Sequence, residues 1–150
     1  AMVDFFVHTT IIYCSTLTLK NRPHIHPVLF SNEPNSCVIT FLLDKQSVIT
    51  KNLINNPNIS LAIDITHPIN PFWNRGISIK GNANLFEKIE EVETGFSYLE
   101  DKYGLSTVTK ILGVDKIQES LRVRVHPLKI VYWKGPYFKR FKCKPRLNTS

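Results

Sequence analysis

Three groups of residues in this chain could do chemistry, and all of them favour anions or flat ligands. Lys45, Ser47 and Lys51 surround the start of a short helix. Free backbone N–H groups and the positive end of the helix dipole make such a start a natural seat for a phosphate. His24 and His26 fall two apart on a strand and therefore share one face. Neutral imidazoles so spaced can ligate a metal. No carboxylate or third ligand stands beside them, so lining a pocket or lying half-exposed on a sheet is the favoured role. Arg75, Lys80, Arg122 and Arg124 add cations on strands, and Trp73 and Trp133 supply flat apolar surface. Together these residues suit a phosphorylated planar ligand.

Other chemistries lack their motifs. There is no Gly-x-Ser-x-Gly elbow, and Cys14 has no evident base. Neither a dinucleotide-binding glycine pattern nor a Walker loop occurs, and most acids lie on one amphipathic helix rather than in a catalytic pair. The three cysteines, Cys14, Cys37 and Cys143, contain no Cys-x-x-Cys spacing, so no metal site is expected and a reducing compartment fits best. The first 15 residues lack the pattern of a signal peptide, and no apolar run is long enough to span a membrane. The expected location is cytoplasmic, with no membrane partner.

The elements that must position these residues follow from periodicity. Thr9 to Leu19 is rich in β-branched residues and reads as a strand, with Pro23 to Phe30 returning as the second arm of a hairpin. Ser31 to Ser36 reads as a turn. Val38 to Leu43 is a continuous apolar run, hence a buried strand. Ser47 can cap the helix that follows, and Asn55-Asn56-Pro57 ends it. Ile59, Leu61, Ile63 and Ile65 alternate with polar or small residues, giving a strand with one wetter face. Arg75 and Gly76 open another strand, in which Gly81 implies a bulge or a close approach. Glu87 to Tyr103 is a helix with Ile89, Val92, Phe96, Leu99 and Tyr103 as its apolar stripe and Gly104 as its stop. Ser106 to Leu112 is a second short helix, closed by Gly113, and Leu121 to Trp133 is a final long strand. Hairpin links dominate, so the class is α+β, mostly β, in one domain over residues 1–150.

Composition is that of a globular protein, with 43% hydrophobic and 21% charged residues. The net charge of +7 is concentrated: residues 134–150 hold Lys134, Lys139, Arg140, Lys142, Lys144 and Arg146 with no acid, leaving 13 basic against 12 acidic groups before them. Tyr137, Phe138 and Phe141 lace this tail. The favoured reading is a docked segment whose lysines lie in water or reach an anionic ligand. A non-enzymatic module gripping nucleic acid is the alternative, unaccompanied by any nucleic-acid motif.

Residues 9 to 86 resemble the pyridoxamine 5'-phosphate oxidase-like, FMN-binding split-barrel family. The strand TTIIYCSTLTL leads into Arg22-Pro23-His24-Ile25-His26-Pro27-Val28 and then VITFLL, followed by the run from Lys51 to Leu61 containing Asn-Asn-Pro, and by Arg75 to Ala83 with Lys80-Gly81. The run from Arg122 to Ile130, with Trp133, is similar to the family's last strand. The resemblance implies a six-stranded antiparallel split β-barrel with flanking helices. It further implies a homodimer with flavin at the subunit interface and an oxidoreductase acting with a small-molecule substrate or electron donor. The flavin phosphate would be held by basic residues near the second strand and by a Ser-Arg-Lys run opening the short helix. Ser47 stands at the serine position, but Val48 and Ile49 occupy the two basic ones. Lys45, Lys51 or Lys80 would then supply charge, and a deazaflavin, a haem or a site without cofactor stay open. Arg124-x-His126 resembles the substrate-binding Arg-x-His of true pyridoxamine phosphate oxidases. The implied cofactor-binding set is His24, His26, Pro27, Val28, Lys45, Ser47, Thr50, Lys51, Asn52, Arg75, Lys80 and Trp133.

Overall fold

Strand periodicity in the sequence becomes one curled antiparallel sheet. The structure, a computed structural model, describes residues 2–112 and 117–143. The expected stop at Gly113 and the tail cations Lys144 and Arg146 lie outside them. In chain order the elements are α1 (Met2–Val7), β1 (Ile11–Leu17), β2 (Pro23–Leu29), β3 (Ser31–Asn32), β4 (Ile39–Asp44) and α2 (Val48–Asn55). They continue with β5 (Asn58–Ile65), a 3-10 turn at Pro71–Trp73, β6 (Arg75–Phe86), α3 (Ile89–Tyr103), α4 (Leu105–Leu112), β7 (Ser120–Lys134) and β8 (Tyr137–Lys142).

The sheet order is β2-β1-β5-β6-β7-β4-β3. β7 is long enough to serve two strands along one edge: Ser120–Val125 pairs β4, and Lys129–Lys134 pairs β8. The sheet curls until β2 lies against β4, which gives a split barrel. Six strands were expected and eight are present among the described residues. β3 is only two residues long and sits inside the expected turn, and the supposed tail folds back as β8.

Alternation dictates which side of each strand is buried. β5 alternates exposed and buried along its length, placing Ile59, Leu61 and Ile63 inside. The barrel interior also takes Phe6, Ile12, Phe30, Phe41, Ile77, Ile79, Val123 and Ile130. Gly81 sits at a bulge against β7, where an added Cβ would fall 2.4 Å from the His126 carbonyl oxygen, so only glycine allows the strands this close. A second, smaller core lies under the helices, where Val92, Leu99 and Val108 pack on Leu42. Ile89, expected in that stripe, begins α3 in solvent, 51% exposed. No helix among the described residues is long and apolar enough to cross a membrane.

Candidate functional site

The turn between β4 and α2 is built by side chains capping backbone. Ser47 accepts a hydrogen bond from the Thr50 N–H at 3.2 Å, and the Thr50 hydroxyl donates to the Asp44 carbonyl at 2.7 Å. These bonds fix the start of α2 against the end of β4. Asn52, buried one turn on, donates to the Thr16 hydroxyl at 3.0 Å and ties α2 to β1. Thr50 and Asn52 therefore anchor the helix, and neither lines the adjoining cavity.

That cavity, about 630 Å³, opens between β2, β4, the start of α2 and the ends of α3 and α4. β2 contributes His24, His26, Pro27 and Val28, and the α2 start contributes Ser47, Val48 and Ile49. Ile11, Leu29, Leu42, Leu43, Leu99, Ile111 and Leu112 complete a largely apolar wall, in which Asp44 is the one acid. Five expected residues, His24, His26, Pro27, Val28 and Ser47, thus meet in one place. The imidazoles of His24 and His26 lie 6.3 Å apart between ring centroids. Nδ1 of His24 is buried without a hydrogen-bond partner among the described residues, which is costly unless a ligand or water satisfies it.

The expected cations go elsewhere. Lys45 turns its ammonium to the Gln118 carbonyl at 2.9 Å, and Lys51 is exposed. Neither lines the cavity, nor does any other described lysine or arginine. Arg75 borders a separate hollow of about 360 Å³ with His67, Trp73 and Lys134. Lys80 borders a third, about 340 Å³, with Ser15 and Ser60. Trp133 lays its ring on Gly76, where a Cβ would overlap it at 2.0 Å.

Arg122 and Arg124, two of the expected anion seats, are already neutralised. The buried Arg122 guanidinium donates to Glu91 at 2.8 Å, to Glu33 at 3.1 Å and to the Thr40 hydroxyl at 2.9 Å. Arg124 donates to both carboxylate oxygens of Glu33. The Glu33 hydrogen bond is the main reason the Arg124 guanidinium is pushed further up from its usual range. An Arg-x-His substrate contact would first have to break this pair.

Sequence reasoning missed the α3 and α4 side of the cavity. Leu99 signals only a buried stripe, and nothing local says that Ile111 and Leu112 face β2. It also missed His67, whose Nδ1 accepts from the Asn70 and Ile69 N–H groups at 3.0 and 3.3 Å while the ring meets Trp73 edge-on at 4.6 Å. No cluster of three or more metal-ligating side chains occurs among the described residues.

A curled antiparallel sheet with a cavity at the β4–α2 turn defines a split-barrel protein. Residues 1–134 match the pyridoxamine 5'-phosphate oxidase family, and the chain belongs to it. No curated protein sequence matches the chain. Among solved structures it is similar to the conserved hypothetical protein Rv2991 of Mycobacterium tuberculosis, with a TM-score of 0.76, 18% identity, and coverage of 90% of this chain and 83% of that one. It is also similar to a heme binding protein of Mycobacterium smegmatis (0.72, 14%, 89% and 53%) and to an F420 reductase (0.64, 15%, 85% and 93%). The chain thus spans about half of the heme binding protein.

Proposed function

We propose that the chain binds a flat redox cofactor in the β2–β4–α2 cavity and works as a flavin-dependent oxidoreductase, with FMN the first candidate and a homodimer the working form. The observation that carries this is the meeting of His24, His26, Pro27, Val28 and Ser47 around one apolar cavity at the start of a helix. Its walls suit an aromatic ring system, which gains from leaving water. The phosphate end fits less well. Val48 and Ile49 bring no charge and Asp44 brings a carboxylate, leaving the backbone N–H groups of α2, Ser47 and the imidazoles to meet an anion. FMN affinity is accordingly expected to be modest. A bound flavin would supply the electron transfer, and the chain would bind it, orient it and keep water from one face.

Haem is the second reading, favoured by one observation: the buried, unpartnered His24 Nδ1 beside a cavity with no described cation. A visible spectrum of purified protein, with melting curves in added FMN, F420 and haem, tests both. Flavin absorption with an FMN-dependent rise in Tm supports the first. A Soret band that His24→Ala abolishes supports the second. A colourless protein whose melting ignores all three ligands rejects both.

A further inference from the structure

The strand register aligns cations that the sequence scatters. Lys80 on β6 lies directly opposite Lys129 on β7, and Lys129 lies directly opposite Lys142 on β8. Ile79 and Ile130, next to them, point into the core, so this row of three lysines is on the outer face of the sheet. Two positions along on the same face, Arg140 stands opposite Val131. Two further along, Trp133 stands opposite Phe138, which is 64% exposed. Like charges placed directly across strands repel, and three in a row is an arrangement that an anion would relieve. No carboxylate pairs with any of these four cations among the described residues. Asp64, opposite Gly76 on the same face, has its carboxylate engaged by the Thr66 hydroxyl.

We infer that the outer face of β6–β7–β8 binds single-stranded nucleic acid. Neighbouring strands are about 4.8 Å apart, so the lysine row offers a phosphate chain repeated contacts as it crosses the strands. Phe138, four residues along β8 from Lys142, offers an exposed ring on which a base can stack. An outer sheet face that carries a row of cations and, further along the same strands, an exposed aromatic suits splayed bases better than a closed duplex. A second copy paired about a two-fold axis through this row is a poor occupant, because it would set lysines against lysines. The site shares no residue with the proposed cofactor cavity, so either proposal can fail alone.

The test is fluorescence anisotropy with labelled oligo(dT) and oligo(U), titrated at several salt concentrations. With four cations engaged, the log–log salt slope is expected near about −3. Lys129→Gln/Lys142→Gln should weaken binding and make the slope shallower by about 1.4, while Lys20→Gln/Lys110→Gln, the same charge removed elsewhere, should not. Phe138→Ala should cost at least about fivefold in affinity at any salt. Should the β8 changes unfold the hairpin, Lys80→Gln on β6 still reports, with a slope shallower by about 0.7. An unaltered slope in these variants overturns the inference. So does an equal loss in the Lys20/Lys110 control, tighter binding of a duplex, or binding to anionic vesicles but not to oligonucleotides.

Discussion

Lys102 holds its ammonium where water is scarce. Nζ donates to the Phe30 carbonyl at 3.1 Å and sits 3.7 Å from the Phe30 ring centroid, and burial brings its pKa down from 10.5 to about 8. The folded state therefore gives up this proton sooner than the unfolded chain does. The stabilising term is complete above 10.5 and is lost as pH falls through about 8. Burial pushes Cys14 and Tyr103 the other way, each to about 12, so their terms are lost as pH rises above 9 and 10 respectively. The clean measurement is a difference between wild type and Lys102→Met. Urea midpoints at pH 7 and 9.5 should show wild type gaining on the variant by on the order of 1 kcal/mol, after allowance for the part-exposed ammonium. Arg122 makes a sharper case at the same scale. Its side chain is 5% exposed, and Arg122→Ala empties a buried space and removes a donor from Glu33, Glu91 and Thr40, although Glu33 keeps Arg124; the expected loss is about 2–3 kcal/mol in denaturant unfolding. Glu91 is 39% exposed and can turn to water, so Glu91→Gln should cost under about 1 kcal/mol.

At the scale of elements, α2 explains why the resemblance to a phosphate-binding helix is incomplete. Val48 is 56% exposed at the cavity rim, whereas Ile49 is 4% exposed and belongs to the barrel core. The two missing basic positions are therefore not equivalent. Val48→Arg should fold normally and raise FMN affinity by roughly tenfold, measured by flavin fluorescence quenching, since it adds a charge-assisted contact. Ile49→Lys buries an ammonium and should lower stability by about 2–4 kcal/mol before any ligand is added. β4, α2 and β5 were legible in the sequence because a buried run, a capped helical spacing and a period of two each impose a pattern that burial then obeys. β8 was not legible. All six of its residues are exposed, so no buried face marks the chain with alternation. The same reason hid the lysine row, which exists only through register between β6, β7 and β8. The Glu33 clamp was equally unreadable, since its partners stand 89 and 91 residues away.

For the whole molecule, the outer sheet face divides into two unlike ends. At the β1–β2 end, the register puts Ile11 beside Leu29, Tyr13 beside Pro27 and Ser15 beside Ile25, with Ile11, Tyr13 and Ile25 exposed by 45%, 49% and 66%. At the β6–β8 end stand the lysines. Apolar surface gains from contact with a like surface, and the charged end does not, so a homodimer is expected to form through β1–β2. Ile11, Pro27 and Leu29 also line the proposed cofactor cavity, so this pairing would close the cavity with the partner. Ile25→Glu tests the arrangement, because so exposed a position tolerates a charge in the monomer but not in an apolar contact. Light scattering should give twice the chain mass for wild type and the single mass for the variant. Wild-type Tm should climb with protein concentration, while that of the variant stays constant. The variant should also bind FMN more weakly, although residue 25 itself does not line the cavity. A wild type that stays monomeric at every concentration removes the dimer, and with it the shared cavity, while leaving the fold and the lysine row as described.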